Sequence, residues 1–496
     1  MDAVTVPAEP FQELVDHARH TRVVVIGGGI AGLVAAWECA KVGMAVTLVE
    51  ASDRLGGTIG SARIAGLDLE TGVTCWSARG GAVRGLVAEV LPDAAIVRPH
   101  DDREWIAGLP KGAAAPLPAE QVVGIPANPW DESVRRIIGW GGTWRAYVDR
   151  LRPPLTIGAQ RSLGRLVRGR MGDKVRDRLV APLTVDRFGL DPDDVDVEIA
   201  APGLSNALTR TGWLGGAVAD VRVDASAAAI EGLDGGMPQL VAALAARLAE
   251  RDAIIRTGAL ATSVARTQGG WTVGLATIAP DDAAAPDELH VDAVIIATEE
   301  GGARELLAGA LGKPDFAEVA PAGIAREVVT LVIDAPELDA APRGAHVHAV
   351  PGALAATGLV HETARWEWIA RDAGPGRHVL RVAFGAPDAA PATEGLSDAD
   401  AAVTAVGAAS DLLGVELDEA TIVGARRDSY TLAPPASALG QRERAAAART
   451  EIARAPGLAA VGAWLAGSGL AHVVADAQEE ADRLRRKVLW GAAAAE

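Results

Sequence analysis

The sequence predicts a mixed α/β protein: a Rossmann-like dinucleotide-binding domain, discontinuous in the chain, with an inserted substrate domain built on a mixed sheet and a helical subdomain. Three observations predict it. The apolar run 23–26 enters the glycine turn Gly27-Gly28-Gly29-Ile30-Ala31-Gly32, which opens a helix and leads to a second apolar run, Ala45–Val49, that ends at Glu50. Further buried-strand signals return only far downstream, at 292–298 and from Leu458. With 496 residues, 49% of them apolar, the chain can bury a core for two or three domains or subdomains.

Residues 1–20 lack the basic start, apolar middle and small-residue cleavage site of a secretion signal and are expected to be an arm with one or two helical turns. In the glycine turn, Gly27 permits the tight bend, Gly29 lets a pyrophosphate approach the backbone, and Gly32 lets helix and strand pack closely. The helix N-terminus at Ile30 and Ala31 supplies donors to the phosphates. Glu50 can accept hydrogen bonds from an adenosine ribose. The next residues, Glu50-Ala51-Ser52-Asp53-Arg54-Leu55-Gly56-Gly57-Thr58, resemble the extended E-x-x-x-R-x-G-G signature of FAD-dependent oxidases, in which a second glycine pair passes close to the cofactor.

Residues 91–227 carry Pro/Gly-rich loops over 108–129 and helical patterning over 133–183. In 228–300, Gly235-Gly236-Met237-Pro238 opens a helix over 239–250, residues 253–265 and 271–278 read as adjacent strands, and 292–298 as a short buried strand ending at Thr298. Residues 301–439 are strand-rich, most clearly at 327–333 and 379–384. The FAD-binding domain is thus expected in 21–90, 228–300 and 440–496, with the two insertions forming the substrate side. The stretch 458–475 is almost wholly apolar, but Gly462, Gly467 and Gly469 interrupt it, so strand, glycine turn and helix are expected rather than a transmembrane segment.

Taken together, these motifs resemble the flavin-dependent protoporphyrinogen and coproporphyrinogen oxidases of the wider monoamine-oxidase-like superfamily. The run Glu70-Thr71-Gly72-Val73-Thr74-Cys75-Trp76-Ser77-Ala78-Arg79 is similar to the family's E-x-G-P-x-S-F-x-x-R. Residues 166–173 and 179–183 resemble F-x-x-R-R-x-G-x-E and L-x-x-P-L, 231–237 the G-G-M turn, and 456–470 the closing strand and turn. The resemblance implies FAD on Gly27, Gly28, Gly29, Ile30, Ala31, Gly32, Glu50 and Ala51, with Arg54, Gly56, Gly57 and Thr58 beside it. It implies that Gly72, Val73, Thr74 and Cys75 lie near the flavin and the Val264 backbone at the adenine, with Thr298 on the returning strand. Trp464 is also implied as a cofactor contact, and Ser468, Gly469 and Leu470 would line the pyrimidine end, where a helix over 471–486 aims its positive N-terminus. Arg79 is expected to meet a substrate carboxylate. Val73 and Cys75 replace the family's proline and serine, and Asp428-Ser429-Tyr430-Thr431-Leu432-Ala433-Pro434-Pro435 replaces its W-x-x-x-x-P-Q-Y, both where substrate or flavin would be touched.

Cys39 and Cys75 form neither a disulfide framework nor a metal-ligand spacing, so a cytoplasmic protein is expected. No cysteine follows Cys75 to tether a flavin, which favours non-covalent FAD. His346 and His348 share one face of a strand; no metal is expected, and the net charge of −18 excludes nucleic acid as a partner. Residues 135–187 nevertheless hold thirteen Lys or Arg against four Asp. That stretch reads either as a face neutralised from elsewhere, or as a rim for propionates or a dock for an anionic partner or lipid, which would make the protein membrane-peripheral. The expected reaction is aromatisation of coproporphyrinogen III, an anionic tetrapyrrole, with O2 as acceptor and H2O2 released, the chemistry resting on flavin N5 rather than a side chain. A passing contact with the next haem-pathway enzyme fits that role. The alternatives are protoporphyrinogen IX oxidation, an amine oxidase or desaturase on the same scaffold, and a non-catalytic flavin-binding partner.

Overall fold

In a five-stranded all-parallel sheet the strands lie in the order Ile254–Arg256, Ala45–Val49, Arg22–Ile26, Ala293–Ile296, Leu458–Ala460. The computed structural model describes residues 9–152, 161–224, 230–277, 287–318 and 324–490, the side chains of 9–14 and 222–224 excepted. Successive side chains of a strand face opposite ways, so Val23 and Val25 enter one core with the helices Ile30–Ala40, Pro238–Ala249 and Leu470–Trp490. Val24 and Ile26 enter the other, with Val264, Trp271, Val273 and Leu307. Burial on both faces is why these strands are uninterrupted apolar runs.

The expected strand 253–265 is two strands. Gly258, at φ +67°, turns the chain, so Ile254–Arg256 extends the parallel sheet while Ala259–Thr267 starts a separate antiparallel sheet with Gly270–Thr277 and Asp287–Val291. Ile278, the expected end of the next strand, lies outside the described residues. A seven-stranded mixed sheet forms the other half, in the order Ile422–Leu432, Ile324–Asp334, Arg377–Phe384, Gly358–His361, His346–Ala349, Glu104–Leu109, Ala113–Pro116. The last two strands come from the 91–227 insertion, before and within its expected Pro/Gly-rich loops, and Glu104–Leu109 pairs in parallel with His346–Ala349. Conversely, helix Glu300–Leu311 packs Ala303 and Leu307 against Val264 and Trp271, on the dinucleotide side rather than the substrate side.

The N-terminal arm forms a 12-residue helix, Glu9–His20, longer than the one or two turns expected. Residues 458–475 become a strand, a short helix Ala463–Ala466 and the start of helix Leu470–Trp490. No described helix is long and apolar enough to cross a membrane.

Candidate active site

At the carboxyl ends of the parallel strands, where open α/β sheets bind ligands, the backbone forms a cradle. Gly27 has φ +110°, and a Cβ there would lie 2.6 Å from the Ala297 carbonyl oxygen. A Cβ on Gly32 would lie 1.8 Å from the Gly27 oxygen, so this glycine is required by packing. Gly29 differs: its Cβ would meet nothing nearer than the Gly57 Cα at 3.9 Å. No side chain caps the helix that begins at Ile30. Its first N–H groups therefore face open space with the positive end of the helix dipole behind them. The second glycine pair closes onto the first turn: the Gly56 N–H donates to the Gly28 oxygen at 2.9 Å, and the Arg54 guanidinium donates to the Gly57 oxygen at 3.0 Å. Glu50 accepts from the Gly28 N–H at 2.6 Å and from the Ser52 N–H at 2.8 Å, which fixes its carboxylate at the cradle's edge beside Ala51. Thr298 Oγ1 and Trp464 Nε1 are buried without a hydrogen-bond partner.

A second group of buried polar side chains lies where the segment holding Gly72, Val73, Thr74 and Cys75 meets the seven-stranded sheet. Gly72 has φ +75° and a Cβ there would lie 2.0 Å from the Thr58 oxygen, so the two segments touch backbone to backbone. Arg381 donates to the Gly72 oxygen at 2.9 Å, and its guanidinium lies 3.6 Å from Glu362. Glu362 is 2% exposed, yet neither carboxylate oxygen has a hydrogen-bond partner, and Arg381 Nε and Trp366 Nε1 are unpartnered too. Arg365 reaches Cys75 Sγ at 3.6 Å. Glu70 accepts the Met237 N–H at 2.5 Å; burial, opposed by that bond and reinforced by the charge of Glu362, pushes its carboxyl up to about 8. The Tyr430 hydroxyl lies 3.5 Å from where a Gly72 Cβ would be, and burial and then Asp428 hold its pKa above the usual phenol value against Arg381, Arg426 and Arg54. Buried polar atoms are nearly always satisfied, so the orphans around Gly27 and Gly72 mark where a polar ligand belongs.

A model of the flavin containing amine oxidoreductase family matches residues 30–485. The chain belongs to this family. A coproporphyrinogen III oxidase of Propionibacterium freudenreichii is 28% identical over 187 residues, 38% of this chain and 35% of that one. Its counterpart from Bacillus subtilis is 30% identical over 186 residues, 36% of this chain and 39% of that one. The chain thus aligns with less than half the length of these curated relatives. A crystal structure of an Exiguobacterium protein proposed to be a protoporphyrinogen oxidase covers 94% of this chain and 99% of that one with a TM-score of 0.78 at 23% identity, which shows the fold.

The residues present fit the flavin this family carries. The space at Gly29, the uncapped helix start and the orphaned Thr298 and Trp464 groups suit a bound dinucleotide, and Gly27, Gly28, Gly29, Ile30, Ala31, Gly32, Glu50, Gly56 and Gly57 share one cradle. Other expected residues are more peripheral. Val264 packs its side chain with Val24, Ile26 and Val49 in the core beneath the cradle. Ser468 and Gly469 are exposed before the buried Leu470, and the turn they form is held by Gly467 against Ala436, just after the divergent 428–435 run. Arg79 is exposed, and its side chain makes no ion pair among the described residues. Of the groups around Gly72, Glu362, Arg365 and Arg381 escape a motif reading, whereas Tyr430 lies in the divergent 428–435 run. Arg381 left one signal, a charge inside the otherwise apolar 379–384 run.

His346 and His348 do share a strand face, with Glu104 on the neighbouring strand at a spacing a metal ion could bridge. Both rings bond to Asp186, at 2.7 and 2.8 Å, and guanidinium groups already hold the acids: Arg326 on Asp186 at 2.6 Å and Arg187 on Glu104 at 2.5 Å. These contacts tie helix Ala181–Phe188 to the sheet.

Proposed function

We propose that this protein is an oxidase with non-covalently bound FAD that converts coproporphyrinogen III to coproporphyrin III, using O2 and releasing H2O2. FAD, when bound, supplies the acceptor for each electron pair; three such removals turn a porphyrinogen into a porphyrin, so three O2 leave as three H2O2. The cradle residues hold the dinucleotide: main-chain N–H groups at Gly29, Ile30 and Ala31 bind phosphate, and Glu50 binds a ribose hydroxyl. The remaining residues position substrate and exclude water. The observation that carries the substrate class is the guanidinium-lined wall of Arg365 and Arg381 beside the Gly72 segment. Such a wall attracts propionates and repels a protonated amine. The unpartnered carboxylate of Glu362 then suits pyrrole N–H donors of a reduced macrocycle, and the relatives named coproporphyrinogen III oxidase support the same reading.

Glu362 also favours a second reading, since a buried acceptor carboxylate can hold an ammonium group. The two are separated by incubating the purified flavoprotein with coproporphyrinogen III, protoporphyrinogen IX and a panel of simple amines while following porphyrin fluorescence and peroxide. Fluorescence from the coproporphyrinogen is the expected result. Turnover of the divinyl compound alone, or peroxide from amines alone, would overturn the proposal.

A further inference from the structure

Along each strand of the seven-stranded sheet, successive side chains face opposite ways. Leu331, Val347, Leu359, Leu380 and Val382 enter the core beside helix Asp398–Leu413. The other face belongs to Thr330, Arg381, Val360 and His346, which stand side by side on four neighbouring strands. It is the face from which Arg381 reaches the Gly72 oxygen. With strands about 4.8 Å apart, His346 stands roughly 10 Å from Arg381 along the sheet, with Val360 between them. Val360, Ala383 and Val328 on this face are only partly buried. The face is therefore open between the Gly72 segment at one end and helix Ala181–Phe188 at the other.

His346 is arranged as a base. Its Nε2 faces Asp186 at 2.7 Å and so carries the proton, which leaves Nδ1 a bare lone pair. Nδ1 makes no hydrogen bond among the described residues, and the side chain is 18% exposed. His348 differs. Both its nitrogens face carboxylates, Asp186 at 2.8 Å and Glu104 at 3.4 Å, so both donate and the ring is cationic. Burial works against that charge, but the two bonds outweigh it and hold the His348 pKa above the usual imidazole value. Burial, and then the charge on His348, push His346 down to about 4 against the attraction of Asp186 and Glu104, so His346 is uncharged at neutral pH. Arg326 and Arg187 already balance the two acids, so a divalent ion would meet no spare negative charge.

We propose, resting on the porphyrinogen oxidation above, that His346, oriented by Asp186, is a base that takes protons released by the macrocycle. A porphyrinogen loses one hydrogen from each of four meso carbons and one from each of two pyrrole nitrogens. Three leave meso carbons as hydride, each with the electron pair of its C–H bond, and the other three leave as protons. When a pyrrole N–H bond breaks, its electron pair stays with the macrocycle and cancels the positive charge left by hydride loss, while the proton joins the Nδ1 lone pair. Asp186 then steadies the imidazolium, as the acid of a catalytic triad does. His346 passes the proton to water. Hydride, proton and O2 sum to H2O2, so each round balances.

The test combines nitrogen NMR of protein carrying isotope-labelled histidine with steady-state rates. In flavin-free protein His346 should be the Nε2–H tautomer, and its Nδ1 signal, identified by its loss in His346→Gln, should shift when coproporphyrin III is added. His346→Gln, which can still donate to Asp186, should keep its flavin and lower kcat for coproporphyrinogen III by about a hundredfold or more with KM little changed. His348→Gln removes the charge that holds His346 down, so the acid limb of kcat/KM, near pH 4 in wild type, should move up by about one pH unit. Wild-type kcat in His346→Gln, a change in KM alone, or an Nδ1 signal untouched by coproporphyrin would overturn the proposal while leaving the oxidation standing. Wild-type flavoprotein inert towards both porphyrinogens would overturn the oxidation, and this role with it.

Discussion

The two ends of the candidate site are built from different materials. Around Gly27 the work is done by backbone: positive φ, missing Cβ atoms, an uncapped helix start and a second glycine pair, with Glu50 and Arg54 as charged groups bonded to that backbone. Around Gly72 it is done by ionisable side chains from four separate parts of the chain, Glu70, Glu362 with Arg365, Arg381 and Tyr430, several of them buried and incompletely paired. A backbone cradle can serve any flavin enzyme of this family. A wall of ionisable side chains is specific to what it meets, so cofactor binding and substrate choice should be separable by mutation.

The sharpest separation is between two neighbouring glycines. Gly29→Val fills space that only a ligand would use, so the variant should fold with its melting temperature within a few degrees of flavin-free wild type yet purify without the flavin absorbance near the visible yellow band. Gly32→Ala instead drives a methyl into the Gly27 oxygen at 1.8 Å and should destabilise the fold itself. Equal loss of stability in both, or normal flavin in Gly29→Val, would remove the contrast.

At the other end, Arg381→Met should leave flavin content intact and lower kcat/KM for the porphyrinogen by about ten- to a hundred-fold, the size of one lost charge-assisted hydrogen bond of about 1.5–3 kcal/mol. Loss of flavin with retained turnover per bound flavin would show that Arg381 holds the Gly72 segment rather than the substrate. Glu362→Gln should cost about tenfold in activity while raising the melting temperature of the flavin-free protein, because a buried charge without hydrogen bonds is removed. A fall in melting temperature would mean that its pairing with Arg381 outweighs its burial.

The most gradual effect is a pH slope. The Glu70 carboxyl is raised from 4.5 to about 8 on folding, so between those values the folded protein holds a proton that the unfolded chain does not. Stability from this group is undiminished below pH 4.5 and falls as pH rises towards 8, by at most about 1.4 kcal/mol per pH unit. Denaturant titrations of flavin-free wild type and Glu70→Gln should diverge over that window, the wild type losing stability faster; parallel curves would place Glu70 in a wetter setting.

What the sequence determined by itself was the part whose physics is local. A glycine turn, the helix after it and an acid at the end of the next strand are consecutive requirements of one βαβ unit, so the tight turn at Gly27, the close packing at Gly32 and the places of Gly29 and Glu50 beside them were legible from spacing. The flavin family was legible for the same reason, and so was the strand, turn and helix of 458–475. What only the tertiary structure decided was long-range: that Gly258 sends 254–256 and 259–267 into different sheets, that 104–116 completes the sheet of 324–432, and that Arg381 and Glu362 converge on Gly72. It also divided the 135–187 arginines into paired and unpaired halves and turned Trp140 and Trp144 outward. Charge pairing and burial depend on which distant segments the fold brings within a few ångströms, and no spacing along one chain encodes that distance.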